Sequence, residues 1–278
     1  MKTRIISAVV AFVILIPILW FSDTVIFPLA MAACSAIAAF ELTSCVGTKQ
    51  WYLRAPSVAL AFAGPLLTEW LAPTVERYIL LLALASFVYF FLFMMIAVIT
   101  GGKLKYSAVA ETVLGVVYAT VGFSSIALIR GNTAHGVWLF GLVFVAAWMT
   151  DTMAYFTGRF FGKHKLCPKI SPKKTIEGSI GGTVFCALSF LLYGFIAHKA
   201  SHLNPNYVML AVSGLVLSVI SQFGDLAASL IKREHGVKDY GKIMPGHGGV
   251  MDRFDSILAV APFLLMISEF STAFSFFS

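Results

Sequence analysis

Long apolar runs recur along the whole chain, separated by short polar segments. Each run is close to the 20 residues that an α-helix needs to cross the hydrocarbon core of a bilayer. Helices satisfy their own backbone hydrogen bonds there. The pattern predicts an all-α polytopic membrane protein with about nine transmembrane helices. The predicted spans cover approximately residues 5–21, 24–46, 56–71, 78–99, 107–129, 136–157, 176–198, 207–223 and 254–276.

The composition agrees with lipid as the main solvent. Hydrophobic residues make up 59% of the chain and charged residues 12%, whereas a soluble domain is about one-quarter charged. No stretch is polar enough to form a soluble domain. We therefore predict a single membrane domain over residues 1–278.

The distribution of basic residues predicts the orientation. With the N-terminus inside, 17 of the 20 Lys and Arg residues fall in loops on one side of the membrane. Because cytoplasmic loops carry an excess of Lys and Arg, this side is predicted to be cytoplasmic. Nine spans would then place the C-terminus outside.

The first chemically informative segment runs from Asp151 to Gly182. Its cations alternate with Gly and Pro, which predicts a turn-rich basic loop. Thr175 is a plausible helix N-cap, so Lys173, Lys174 and free backbone N–H groups would form an anion site at a helix N-terminus. The alternative is a topology signal that binds lipid headgroups. A G-x-x-x-G pattern at its end is typical of close helix packing.

The second segment follows the eighth apolar run. Asp225, Ser229, Lys232 and Arg233 are spaced by three, four and seven residues, so they share one face of a helix. Asp225 would lie near the inner membrane boundary. A carboxylate at such a depth is costly and indicates a functional site.

The loop after that helix is rich in glycine. Glycines around His247 allow the backbone to approach a bound phosphate closely. Asp252, Arg253 and Asp255 follow at the mouth of the last predicted span. The alternative interpretation of the two aspartates is helix capping and a favourable interaction with the helix dipole.

Carboxylates surrounded by Lys and Arg favour one kind of chemistry. Carboxylate oxygens hold Mg²⁺, which in turn binds phosphate oxygens, and basic residues neutralise the remaining polyphosphate charge. The sequence contains neither a G-x-x-x-x-G-K-[ST] loop nor a G-x-G-x-x-G motif on a strand. We therefore predict phosphoryl or nucleotidyl transfer.

The second segment and its loop carry a long spaced motif. The sequence resembles the phosphatidate cytidylyltransferases, also called CDP-diacylglycerol synthases, and the segment with the core SPKKTIEG is similar as well. The resemblance covers about the C-terminal half of the chain. The matching pattern is Ser229-x-x-Lys232-Arg233-x4-Lys238-Asp239-x-Gly241, followed by Pro245-x-His247-Gly248-Gly249-Val250-x-Asp252-Arg253-Phe254-Asp255.

The resemblance implies transfer of CMP from CTP to phosphatidate, which yields CDP-diacylglycerol and pyrophosphate in phospholipid biosynthesis. It implies a multi-pass protein of the bacterial inner membrane with a cytoplasmic active site open to lipid. Residues 1–150 would supply N-terminal spans, and residues 151–278 the catalytic spans and cytoplasmic loops. The expected partners are CTP, phosphatidate and membrane lipids, without nucleic acid, and a homodimer is left open.

The resemblance also implies residue roles. Asp225 and Asp252 would bind Mg²⁺, with a second, monovalent cation left open. The implied catalytic residues are Asp225, Asp252, Lys232, Arg233, Arg253 and His247. The implied nucleotide-binding residues are Asp151, Ser171, Lys173, Lys174, Thr175 and Glu177.

Two departures and three alternative functions stay open. The family pattern usually has a glutamate where this chain has Ala228 and a glycine where it has Met153. A CTP-dependent polyprenol kinase would share a basic site but accept an alcohol. A CDP-alcohol phosphotransferase would need a D-G-x-x-A-R cluster, which the sequence lacks. A transporter would concentrate charges near the midplane, whereas here they cluster at one face.

Overall fold

Helices dominate the structure, a computed structural model that describes residues 13, 16–70, 74–133, 135–243, 246, 248–270 and 275–278. The long helices in this part of the chain are α1 (Ile26–Cys45), α2 (Trp51–Trp70), α3 (Val75–Ile99), α4 (Tyr106–Asn132), α5 (Gly136–Phe161), α6 (Ile176–Ser201), α7 (Tyr207–Glu234) and α8 (Met251–Phe270). Two short strands, β1 (Lys165–Cys167) and β2 (Ser171–Thr175), lie between α5 and α6.

Six helices, namely α1 and α3–α7, are long and apolar enough to cross a membrane. The prediction of a helical membrane protein is thereby confirmed, but the number of about nine spans is not. The remaining two long helices are less apolar: α2 contains Arg54 and two prolines, and α8 has Asp252 and Arg253 in its first turn. The first predicted run, 5–21, lies mostly outside the described residues.

The last predicted run is shorter than expected. Helix α8 ends at Phe270, and the chain end pairs with the loop between α6 and α7. The backbone N–H of Asn204 donates to the carbonyl of Ser278 at 2.8 Å, and that of Asn206 donates to the carbonyl of Phe276 at 2.9 Å. The described residues at the end of this run, Ser275 and Phe276, are therefore not helical.

The chain divides into two compact units. In the first, which contains the described residues up to Asn132 together with Glu234–Phe254, α1 packs on α2 and α4, and α3 packs on α4. The buried ring of Tyr89 packs on Phe93 and shares a 2.6 Å hydrogen bond with Ser57. This bond satisfies two polar groups within an apolar core.

The second unit contains Thr133–Arg233 and Asp255–Ser278. In it α5 and α6 pack closely at the predicted G-x-x-x-G motif. A Cβ on Gly178 would lie 2.6 Å from the carbonyl oxygen of Ala154, and a Cβ on Gly182 would lie 2.8 Å from that of Thr150. Only glycine allows this approach, so the predicted helix packing is confirmed.

The basic loop differs from the prediction because it folds into a β-hairpin. Strands β1 and β2 pair antiparallel, with Cys167 opposite Ser171. This hairpin is an exception to the all-α prediction. Since successive side chains of a strand point to opposite faces, Lys173 is exposed while Lys174 is half-buried.

Candidate active site

Thr175 fixes the junction between the hairpin and α6. It ends β2, and its hydroxyl accepts the backbone N–H of Gly178 at 3.1 Å. This is the geometry of a helix N-cap, so the predicted capping role is confirmed. The two lysines of β2 consequently lie directly beside the N-terminus of α6.

Glu177 holds the hairpin against α6. Its carboxylate lies 2.6 Å from Nδ1 of His164 and accepts the backbone N–H of His164 at 3.2 Å. Ser171, at the start of β2, is half-buried and pairs with β1. Both residues are thus placed in the hairpin framework, and their nucleotide-binding roles stay predictions.

A cavity of about 340 Å³ is lined by residues of α5, the hairpin, α6 and α7. Its volume falls in the range of small-molecule sites. Its lining includes five of the residues predicted to act on the nucleotide or the metal: Asp151, Lys173, Lys174, Thr175 and Asp225. Arg159 and Gln222, which the sequence did not single out as site residues, line it as well.

An ion pair forms one wall of this cavity. The ammonium group of Lys174 contacts the carboxylate of Asp225, and each side chain is only about a quarter exposed, at 24% and 26%. Asp151 on α5 interacts electrostatically with both groups, and its Oδ2 accepts the hydroxyl of Ser256 at 3.4 Å. The hairpin, α5 and α7 thus each contribute a charge.

Asp255 belongs to the same charge cluster. It is buried, and it interacts electrostatically with Asp225, Asp151 and the ammonium group of Lys232. Its Oδ1 accepts the backbone N–H of Ser256 at 2.8 Å, one turn inside α8. The capping alternative for Asp255 is therefore not what the structure contains, and the cluster holds three carboxylates.

The donor set suits a metal that arrives with its substrate. Within the described ranges, no three His, Cys, Asp or Glu side chains converge into a ready-made metal site. Mg²⁺, however, is usually bound by one or two carboxylates together with substrate phosphates and water. The carboxylates of the cluster fit this requirement.

In the first unit, Asp252 organises the glycine-rich loop. Its Oδ2 accepts the backbone N–H groups of Tyr240 at 2.8 Å and Gly249 at 2.9 Å. His247 lies outside the described residues. Because Asp225 belongs to the other unit, the shared metal site of the two aspartates stays a prediction.

The three further cations predicted to bind phosphate have different environments. Lys232 is buried on α7 and interacts with Asp255. Arg233 is exposed, and its Nε donates to the carbonyl of Ile170 in the hairpin turn at 3.4 Å. Arg253 is exposed on the first turn of α8. Their roles toward phosphate stay predictions.

Sequence reasoning missed Glu41 on α1. Its side chain is 3% exposed, Oε1 accepts the N–H of Val250 at 3.1 Å, and Oε2 accepts that of Met251 at 2.9 Å. A Cβ on Gly241 or Gly249 would lie about 2 Å from Oε1. A lone carboxylate in an apolar run was the available signal.

Replacing Glu41 with leucine is expected to destabilise the protein, because two buried N–H groups lose their acceptor. Each unpaired group costs roughly 1–3 kcal/mol, so the melting temperature of the purified protein in detergent should fall by several degrees. The melting temperature of Glu41→Gln, which keeps one acceptor oxygen, should fall less. Glu76→Gln, at an exposed glutamate of α3, is the control. Equal melting temperatures for Glu41→Leu and wild type would contradict this role.

These features define a helical, multi-pass membrane protein with a mixed carboxylate and ammonium cluster. A sequence model described as "Cytidylyltransferase family" matches residues 2–271, and the chain belongs to that family. A phosphatidate cytidylyltransferase of Staphylococcus haemolyticus (strain JCSC1435) is 34% identical over 265 residues, which cover 95% of this chain and 97% of the relative. The protein of the same name from Staphylococcus aureus (strain COL) is 35% identical over the same shares. The resemblance inferred from the sequence is confirmed.

Proposed function

We propose that this chain transfers CMP from CTP to phosphatidate, giving CDP-diacylglycerol and pyrophosphate for phospholipid biosynthesis. The observation that carries the proposal is the cavity whose lining brings Lys173 and the Lys174–Asp225 ion pair together with Asp151. Full-length relatives named for this activity support it. Cations that bind a polyphosphate and carboxylates that bind its metal are the two groups this reaction needs.

The reaction is an in-line displacement at phosphorus. An oxygen of the phosphatidate phosphate attacks the α-phosphorus of CTP and forms the new P–O bond. The bond between the α-phosphorus and its bridging oxygen breaks, and pyrophosphate leaves with the electron pair. The attacking oxygen is already anionic, so no protein nucleophile is required. The chain contributes positioning and charge neutralisation.

The residues divide this work. Lys173 neutralises charge on the CTP phosphates. Lys174 does the same after its ammonium group leaves Asp225 and binds a phosphate. Asp225 and Asp252 are the predicted holders of Mg²⁺, which when bound would withdraw charge from the phosphates. The predicted contacts to the phosphatidate phosphate or to pyrophosphate are Lys232, Arg233 and Arg253.

Position-specific labels test this function against a CTP-dependent lipid kinase. Purified protein with phosphatidate should transfer the label of α-³²P-CTP to lipid and release the label of γ-³²P-CTP as pyrophosphate. A kinase acting on a polyprenol would place the γ label on lipid instead. Lipid labelling from γ-³²P-CTP, or no phosphatidate-dependent labelling from α-³²P-CTP, would overturn the proposal.

We also propose that the protein lies in the bacterial inner membrane with this cavity facing the cytoplasm, because 17 of the 20 Lys and Arg residues are predicted to lie on the same side of the membrane as the hairpin. Cys167, in β1, should then react with an impermeant thiol reagent only in inverted vesicles. Lys169→Cys, at an exposed position of the hairpin turn, provides a more accessible probe. Labelling of either site in intact cells would contradict this orientation.

A further inference from the structure

A chain of hydrogen bonds joins three helices of the second unit beside the cavity. Thr150 on α5 donates through its hydroxyl to Ser218 on α7 at 2.9 Å, and Ser218 donates to the hydroxyl of Thr183 on α6 at 3.3 Å. Gln222 on α7 completes this polar ladder with a side chain that is 6% exposed. The four residues satisfy one another within a bundle of membrane-crossing length.

The ladder fixes which way the amide of Gln222 points. Its Nε2 donates to the carbonyl oxygen of Ser179 at 3.3 Å and to the hydroxyl of Thr183 at 3.0 Å. The Thr183 hydroxyl itself donates to the Ser179 carbonyl at 3.0 Å. A carbonyl oxygen can only accept, so a flipped amide would bring two acceptors together. Oε1 of Gln222 is therefore turned away from the ladder.

Gln222 lines the 340 Å³ cavity. Among the described residues no donor is hydrogen-bonded to Oε1, and this oxygen is not among the fully buried polar atoms without a partner. Gln222 also borders a neighbouring pocket of about 120 Å³, which is too small for a nucleotide. Of the two, the larger cavity is therefore the one that can hold a nucleotide.

The cavity lining combines charged and uncharged groups. Lys173 and Lys174 provide ammonium groups, whereas Ala154, Gly158 and Gly178 are uncharged. Gln222 lies three residues before Asp225 on α7, and both residues line the same cavity. A nucleotide bound in this cavity would therefore have the Gln222 acceptor within the same lining as the charges.

We propose that Oε1 of Gln222 selects the base by accepting a hydrogen bond from the 4-amino group of cytosine. This inference rests on the proposed use of CTP. Uracil has a carbonyl oxygen at the same position, so two acceptors would face each other. A site built to pair with an amino group rejects analogues without it, because its own polar group is left unpaired.

The experiment compares three triphosphates in purified full-length protein with phosphatidate: CTP, UTP and the pyrimidin-2-one analogue, which lacks the 4-amino group. Wild type should use the analogue about ten- to a hundredfold less efficiently than CTP in kcat/KM. The Gln222→Met variant has a side chain of similar length without the acceptor. In this variant kcat/KM for the analogue should be nearly equal to kcat/KM for CTP. A purely structural role would lower both values by the same factor.

Ser218→Ala is the matched control, because it removes a ladder hydroxyl outside the cavity lining and should keep the preference for CTP. Wild type that uses the analogue as well as CTP would overturn the inference, and this arm needs no folded variant. A folded Gln222→Met that keeps the wild-type preference would also overturn it. Wild type without any product from CTP would instead refute the proposed function.

Discussion

Replacing Asp225 with asparagine is expected to lower CDP-diacylglycerol formation by about a thousandfold, because a metal acting on phosphate supplies several kcal/mol and each 1.36 kcal/mol is tenfold in rate. Asparagine keeps the shape of the side chain and removes its charge. Asp252→Asn, at the other predicted metal ligand, should lower CDP-diacylglycerol formation by the same factor. If both serve one ion, the double variant should be scarcely worse than the worse single variant.

Initial rates across a Mg²⁺ titration measure this effect on folded protein. Asp23→Asn, at an exposed aspartate, is the matched control and should behave as wild type. The sequence alone predicts a mild effect for Asp255→Asn, but its burial beside Asp225 now predicts a larger one. Near-normal turnover of Asp225→Asn at limiting Mg²⁺ would remove the metal assignment.

Lys174→Met is expected to lower kcat/KM for CTP by about a hundredfold, because it removes a charged contact to the CTP phosphates. It should also lower the melting temperature, because it leaves the partly buried Asp225 carboxylate without its ion-pair partner. Lys173→Ala removes a cation without an ion-pair partner in the described residues, so it should mainly raise KM for CTP. Steady-state kinetics at varied CTP separates the two outcomes.

The double variant of Lys174→Met and Asp225→Asn tests the pair itself. Because each single change strands the other charge, the two effects on the melting temperature should not add. Lys169→Ala, in the exposed turn of the hairpin, controls for the general loss of positive charge. Additive effects on stability would show that the pair contributes nothing of its own, and an unchanged KM in both lysine variants would return the hairpin to the role of a topology signal.

Local patterns predicted much of this arrangement. Thr175 before an apolar run identified the start of α6, and the spacing of Gly178 and Gly182 identified its packing on α5. Asp225 stood out because a carboxylate near the end of an apolar helix is costly. Each of these inferences needed only residues within about two helical turns, where sequence spacing determines which side chains meet.

Features that depend on distant residues were not predictable in this way. The hairpin has strands of three and five residues, too short for an alternating pattern, and a proline lies in β2. Asp255 looked like a cap because its partners Asp151 and Asp225 come from other helices. Glu41 has its partners 209 and 210 residues further along the chain.

That separation has a consequence for how the protein is made in the cell. Ribosomes add about 5–20 residues per second. Glu41 on α1 is therefore synthesised roughly 10–40 s before Val250 and Met251, whose backbone N–H groups donate to its carboxylate. During biogenesis the Glu41 carboxylate must be hydrated, protonated or shielded by the insertion machinery. The first unit can therefore reach its final packing only near the end of translation, however early α1 enters the membrane.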